Sequence, residues 1–240
     1  MKKLFLSLSL VLMTSVLVQA QKTVNDPNAE KRTIGSFHGI DVATGIELTL
    51  TQGDTEEVAV SASTTEFRDR IVTKVENGIL KIQYETKTGA INKKNETKSL
   101  KAYVSCKTLD RLYVTTGAQV EIVGTLKSTS IEMKANTGGE INGKVEVEGT
   151  LEMDQNTGSR VTLTGKADKL EAEGSTGSRF NGENLMTNTS EVKVNTGARI
   201  TVFAEKELQV KANTGGIVRY KGNAGIKEIK TGTGGTVSKI

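Results

Sequence analysis

Seven Thr-Gly dipeptides recur at nearly constant spacing between residues 116 and 234 of this chain of 240 residues, and this repeat limits the possible folds more than any other feature. Successive glycines of the repeat are separated by 18 to 21 residues. A fixed period near 20 residues is typical of a solenoid, in which each repeat forms one turn of a coil. The seven copies are Thr116-Gly117, Thr137-Gly138, Thr157-Gly158, Thr176-Gly177, Thr196-Gly197, Thr214-Gly215 and Thr233-Gly234.

Alignment of the copies on the glycine shows two positions that are apolar in all seven. One position lies three residues after the glycine and holds Val120, Ile141, Val161, Phe180, Ile200, Val218 and Val237. The other lies five residues before the glycine and holds Leu112, Met133, Met153, Ala172, Val192, Val210 and Ile229. Polar and apolar residues alternate around both positions, which predicts one β-strand before each Thr-Gly and another after it.

These strands predict an all-β fold, a right-handed single-stranded parallel β-helix with about 20 residues per rung. Each strand then pairs with the equivalent strand one turn later. A β-sandwich or barrel of antiparallel hairpins also accommodates short strands and glycine turns. That alternative does not explain why the same residue types recur at the same positions.

The Thr-Gly repeat itself is expected to form the corners of the coil. Glycine adopts a positive φ without steric cost, so it lets the chain bend between two strands. An asparagine two residues before the glycine can hydrogen-bond the turn backbone, and stacked asparagines can form a ladder. The residues with this predicted structural role are Gly117, Gly138, Gly158, Gly177, Gly197, Gly215, Gly234, Asn136, Asn156, Asn195 and Asn213.

The N-terminus predicts export. Residues 1–20 have the pattern of a secretory signal peptide, with two lysines before an apolar run and Ala20 at the expected cleavage site. The apolar run is too short, and too often interrupted by Ser and Thr, for a transmembrane anchor. Residues 21–33 are polar and are expected to be flexible. We therefore expect a protein of the periplasm, the cell surface or the secreted fraction, without insertion into a membrane.

Residues 34–115 contain strand-like runs with less regular spacing than residues 116–240, where the seven rungs are expected. Thr44-Gly45 repeats the corner motif, so early coils are expected there. Asn77-Gly78 predicts a tight β-hairpin. An irregular region of this kind suits a solenoid cap, because an open end exposes unpaired strand edges. No cap is visible after the last repeat, so self-association through the C-terminal coil is also expected.

Several segments together resemble the head GIN domain family of autotransporter adhesins from Bacteroidetes-type bacteria. They are the signal peptide, the stretches FHGIDVATGIELTLTQGD and VENGILKI, and the tandem Thr-Gly repeats. The resemblance implies a β-helical protein of the cell envelope with an adhesive role. It brings no catalytic residues to this chain.

Composition argues against several classes of function. Without residues 1–20 the chain has 30 basic and 28 acidic residues, and this balance does not indicate a nucleic-acid partner. The chain has one histidine, His38, and one cysteine, Cys106, so a disulfide within it and a catalytic Cys-His or Ser-His-Asp set are not indicated. Asp154 and Asp168 stand at different repeat positions, so they do not predict the cluster of aspartates that a calcium site or an acid–base pair needs. We therefore expect a non-enzymatic protein with no cofactor and no metal.

Two outward positions of the repeat carry charge. Six residues before the glycine stand the members of what we call the Glu file, Glu132, Glu152, Glu171, Glu191 and Glu228. Lysines two residues further along the same strands are expected to balance it. Two residues after the glycine stand Arg160, Arg179 and Arg199, which we call the Arg file. Guanidinium groups at rung spacing suit carboxylates or sulfates, so the Arg file is the candidate site for an extracellular glycan or protein surface.

The sequence therefore favours an exported adhesin, or a scaffolding and binding surface of the cell envelope. The alternative is a glycan-binding or polysaccharide-degrading module of an envelope carbohydrate system, because β-helices also carry enzymes that cleave acidic polysaccharides.

Overall fold

A computed structural model describes residues 26–86 and 97–240, so the predicted signal peptide lies outside the described residues. The described part of the chain forms 17 strands and one helix of four residues. In chain order the elements are β1 (Glu30–Arg32), β2 (Gly39–Val42), β3 (Glu47–Gln52), β4 (Glu57–Ser61), α1 (Thr65–Arg68), β5 (Ile71–Glu76), β6 (Ile79–Tyr84), β7 (Lys101–Cys106), β8 (Arg111–Val114), β9 (Gln119–Ser128), β10 (Ile131–Ala135), β11 (Glu140–Gln155), β12 (Arg160–Gly174), β13 (Arg179–Val194), β14 (Arg199–Ala212), β15 (Ile217–Lys221), β16 (Gly225–Thr231) and β17 (Thr236–Lys239).

In the repeat region each strand pairs in parallel with the strand one turn later. β11, β12, β13 and β14 follow one another in this way. The result is a solenoid of about six turns with about 20 residues per rung. The predicted parallel β-helix is confirmed, and the alternative of antiparallel hairpins is wrong for the repeats.

The strands of the solenoid are longer than the repeat pattern predicts. β11 to β14 each contain 14 to 16 residues and run from one Thr-Gly corner to the next. Register shifts, such as the one between Val147 and Thr150, lie within these strands and do not end the pairing. A β-bulge bends a strand in this way while most of the ladder continues. Side-chain alternation alone does not distinguish one bent strand from two separate strands.

The Thr-Gly corners form a ladder of hydrogen bonds along the solenoid. From Gly45 to Gly215, each corner glycine N–H donates to the Thr carbonyl of the next rung, at 3.0 Å in every case. The corner glycines have φ between +68° and +72°, and the threonines from Thr116 to Thr214 have φ between +47° and +54°. A positive φ is unusual for a β-branched residue. The corner therefore holds threonine in a conformation that its side chain disfavours.

The corner asparagines form hydrogen bonds within their own turns. The Asn136 carbonyl accepts from Gly139 N–H at 2.9 Å, which closes a four-residue turn. Its side-chain Oδ1 accepts from Thr137 N–H at 2.8 Å, and Asn156 makes the same bond to Thr157. Within residues 26–86 and 97–240, no side-chain hydrogen bond joins two of the corner asparagines, so the expected asparagine ladder does not form. Backbone groups supply the ladder instead.

The N-terminal strands join the solenoid out of chain order. β2 and β3 pair in parallel with β6 and β7 on one side and with β8 and β9 on the other. β5 then pairs antiparallel with β6, and β4 with β7, so antiparallel strands cover the first rung. β1, within the segment expected to be flexible, pairs with β4. The N-terminal strands thus lie over the first rung of the coil, where the sequence leads us to expect a cap.

A column of apolar side chains fills the inside of the coil. In the first six copies of the repeat, both apolar positions are at most 2% exposed. In the last copy, Ile229 is 41% exposed and Val237 is only partly buried. The core is therefore tightly enclosed along most of the solenoid and more open at the last coil.

Candidate functional site

The Glu file lies in one straight line on the face that precedes the corners. Glu132 stands opposite Glu152, and the line continues through the other members with Gln209 between the last two. Like charges on neighbouring rungs disfavour this arrangement unless they are paired.

Lysines pair most of the Glu file. Lys134 Nζ lies 2.6 Å from Glu132, Lys193 lies 3.4 Å from Glu191 and Lys230 lies 2.5 Å from Glu228. Lys169 contacts Glu171. Partial burial opposes ionisation of Glu132, but hydrogen bonds from Lys134 and Tyr113 outweigh burial and lower its pKa. The Glu file is therefore a largely charge-balanced face that leaves little free charge for a ligand.

The Arg file lies on the next face, immediately after the corners. Arg160 stands opposite Arg179, and Arg179 opposite Arg199, so the three occupy consecutive rungs in one line. All three side chains are exposed. Because neighbouring rungs are paired strands, successive arginines of the Arg file are about 4.8 Å apart along the solenoid axis.

The three arginines of the Arg file differ in their partners. An ion pair joins Arg160 to Glu140, with Nη1 2.9 Å from Oε1. Among the described residues, neither Arg179 nor Arg199 has a carboxylate oxygen within 4.0 Å. The unpaired positive charge of the file is thus centred on its second and third members.

A fourth arginine extends this basic surface. Arg219 is exposed and stands opposite Thr201, one rung beyond Arg199 and two residues further along the strand. Next to it, Lys221 pairs with Glu183 at 3.3 Å and lies over the Phe203 ring. The repeat pattern does not indicate Arg219, because the equivalent position in the other repeats is not basic.

A groove of about 910 Å³ follows a third line along the solenoid. One side carries Lys127, Glu146, Lys166 and Met186 in register, and Met186 is 55% exposed. The other side carries Glu148, Asp168 and Asn188, and the Asn188 amide donates to Asp168 at 2.6 Å. The groove therefore combines charged side chains of both signs with apolar surface at Val147, Ala167 and Met186.

The other residues that could take part in catalysis or metal binding lie apart from one another. His38 Nδ1 lies 2.7 Å from Asp110 Oδ1, and both side chains are more than half exposed. In the part of the chain that the structure describes, no three His, Cys, Asp or Glu side chains cluster in a way that would hold a metal ion. The same residues contain no helix with the length and hydropathy needed to cross a membrane.

Cys106 is expected to be unreactive in the folded protein. Its side chain is completely buried, and burial raises the pKa of the thiol to about 11. Because only the thiolate reacts with iodoacetamide, alkylation at pH 8 should be at least tenfold slower in the native protein than in urea. Mass spectrometry of timed aliquots measures both rates. Equal rates in the two conditions would contradict this burial.

Comparison with known proteins identifies the family. Residues 36–224 match the sequence model of a family described as "putative auto-transporter adhesin, head GIN domain". The chain belongs to this family. The resemblance drawn from the predicted signal peptide, the N-terminal stretches and the repeats is thereby confirmed. A comparison with curated proteins finds no match.

Solved structures share the head GIN domain fold. One from Bacteroides fragilis, described as a putative adhesin, is 18% identical, with 88% of this chain and 96% of that chain covered and a TM-score of 0.76. One from Parabacteroides distasonis, described as a putative lipid binding protein, is 18% identical, with coverages of 90% and 98% and a TM-score of 0.69. A putative adhesin from Parabacteroides merdae is 16% identical, with coverages of 88% and 95% and a TM-score of 0.66. At these identities the likeness shows the fold alone.

Proposed function

We propose that this protein is an exported, non-enzymatic attachment protein whose Arg file binds polyanionic glycans outside the cell. One observation carries the proposal: three exposed arginines stand in line on consecutive rungs, and Arg179 and Arg199 have no carboxylate partner among the described residues. Membership of an adhesin-like family supports a role in binding external surfaces.

The spacing of the Arg file suits a linear ligand. Rungs separated by about 4.8 Å present one guanidinium after another along the solenoid axis. A glycan with an acidic group on each sugar unit presents carboxylates or sulfates in a similar row, and guanidinium binds such groups with two parallel hydrogen bonds. The contacts are individually weak at an exposed surface, so the affinity depends on several of them forming together.

Binding of heparin and of polygalacturonate to the purified protein tests the proposal. The triple substitution of Arg160, Arg179 and Arg199 by Ser removes three exposed charge contacts of about 0.5 to 1 kcal/mol each, so we expect Kd to rise about tenfold or more. Calorimetry or biolayer interferometry at low salt measures both constants.

A matched control removes the same charge from the neighbouring face, which precedes the corners. Lys193, Lys211 and Lys230 also stand in line on consecutive rungs, so their triple replacement by Ser should leave Kd almost unchanged. Equal effects of the two triple variants, or unaltered binding by the arginine variant, would overturn the Arg file as the site. Depolymerisation of polygalacturonate by the wild-type protein would instead favour a polysaccharide-degrading module.

A further inference from the structure

The face that carries the Arg file is divided into an acidic half and a basic half. From Arg160 toward the N-terminal cap, the successive rungs carry Glu140, Gln119 and Glu47 in the same line. Glu121 lies on the rung of Gln119, two residues along the strand. The rungs on the other side of Arg160 carry the other two members of the Arg file. Over the six rungs from Glu47 to Arg199, the sign of the charge therefore reverses between Glu140 and Arg160.

The acidic half is available to a partner. Glu47 and Glu121 are exposed, and no Lys or Arg nitrogen of the described residues lies within 4.0 Å of either carboxylate. Lys101 stands opposite Glu47 on the next rung but forms no ion pair with it. The face thus presents uncompensated charges of both signs at its two ends, whereas lysines neutralise most of the Glu file on the neighbouring face.

We propose that this face binds the same face of a second copy of the protein, with the two solenoids antiparallel. A twofold axis between the rungs of Glu140 and Arg160 places each of these residues opposite the other in the second copy. Glu47 then comes opposite Arg199 of the second copy, and the rung of Glu121 opposite the rung of Arg179. Each contact forms twice, because a twofold interface uses the same surface on both molecules.

A second copy satisfies this charge pattern better than other partners do. A polyanion compensates only the basic half, and a polycation only the acidic half. An antiparallel second copy compensates both halves with the rung spacing already matched, since the two surfaces are identical. The association needs the acidic residues Glu47 and Glu121, which are not part of the proposed glycan site. The two proposed sites share only the arginines.

The association is weak and salt-dependent. The complementary file covers six rungs, from Glu47 to Arg199, which is about 24 Å long at 4.8 Å per step. Two columns of polar side chains over this length bury less surface than a stable dimer needs. Exposed ion pairs contribute little individually and are screened by salt. Such a contact becomes effective when many copies face one another, as on two apposed cell surfaces.

A charge exchange tests the proposal. The acidic variant Arg179→Glu/Arg199→Glu and the basic variant Glu47→Lys/Glu121→Lys each carry one sign along most of the face. In sedimentation equilibrium at 20 mM salt, we expect concentration-dependent dimers for the wild-type protein and monomers for each variant alone. An equimolar mixture of the two variants should restore dimers, and 0.5 M salt should dissociate them.

Controls separate this association from fold damage and from glycan binding. Lys193→Glu/Lys211→Glu makes the same charge change on the other face and should leave the wild-type dimer intact. The basic variant should bind heparin at least as tightly as the wild type, so loss of its dimer cannot be explained by loss of the glycan site. A monomeric wild type at millimolar concentration, self-association of either variant alone, or a mixture that stays monomeric would overturn the proposal.

Discussion

Gly165→Ala is expected to lower the free energy of unfolding by about 3 kcal/mol or more, because the new Cβ has no space and the backbone is strained. Gly165 has φ +109°, and an added Cβ would lie 2.0 Å from the Val145 carbonyl oxygen. Val145 stands opposite Gly165 on the preceding rung, so relief of the clash would require separation of two paired strands. Urea denaturation followed by circular dichroism measures the difference.

Gly197→Ala provides the matched control. Gly197 also has a positive φ, +72°, but an added Cβ would meet no atom within 4 Å. Its cost should therefore be only that of the left-handed conformation, about 1 to 2 kcal/mol. Equal losses for the two variants would show that close approach between rungs does not decide the requirement for glycine at position 165.

Phe180→Ala should produce the second large loss, about 3 to 5 kcal/mol, because it leaves a cavity inside the coil. Phe180 is 2% exposed and is one of the largest fully buried side chains. It occupies a repeat position where the rungs on either side carry the smaller Val161 and Ile200. Phe180→Leu keeps much of the volume and should cost about 1.5 kcal/mol or less. Urea denaturation of both variants gives the comparison.

Gly182 allows the phenyl ring to fit. An added Cβ at Gly182 would lie 2.8 Å from Cε1 of Phe180. We therefore expect Gly182→Ala to be less destabilising in the Phe180→Leu background than in the wild-type protein, because the shorter side chain removes the clash. Strictly additive losses in this double-mutant cycle would contradict contact between the two positions.

The repeat pattern predicts the solenoid because every rung must turn at the same place and bury its apolar side chains at the same positions. A glycine and an apolar pair at constant spacing give the corner, the buried positions and the parallel register. The pattern does not reveal the conformation of threonine at the corner. Thr137 has φ +48° because the following glycine N–H must reach the Thr157 carbonyl of the next rung, and no local preference of threonine indicates this.

The N-terminal region follows from the sequence only in part. Asn77-Gly78 predicts its hairpin, and the structure places it between β5 and β6 with φ of +51° and +75°. The corner motif at Thr44-Gly45 indicates a rung formed by β2 and β3, but it does not indicate that this rung lies between β6 and β7 on one side and β8 and β9 on the other. Long-range pairing energies, rather than local pattern, decide that order.

The sequence by itself determined the period, the buried positions, the corners and the alignment of Arg160, Arg179 and Arg199, because these all depend on residue spacing along one repeated turn. Tertiary structure decided which charges remain free. Glu140 neutralises part of the Arg file, while lysines neutralise most of the Glu file. Ion pairing depends on side chains that meet across rungs and neighbouring columns, and the reach of those side chains is set by the folded coil rather than by spacing in the chain.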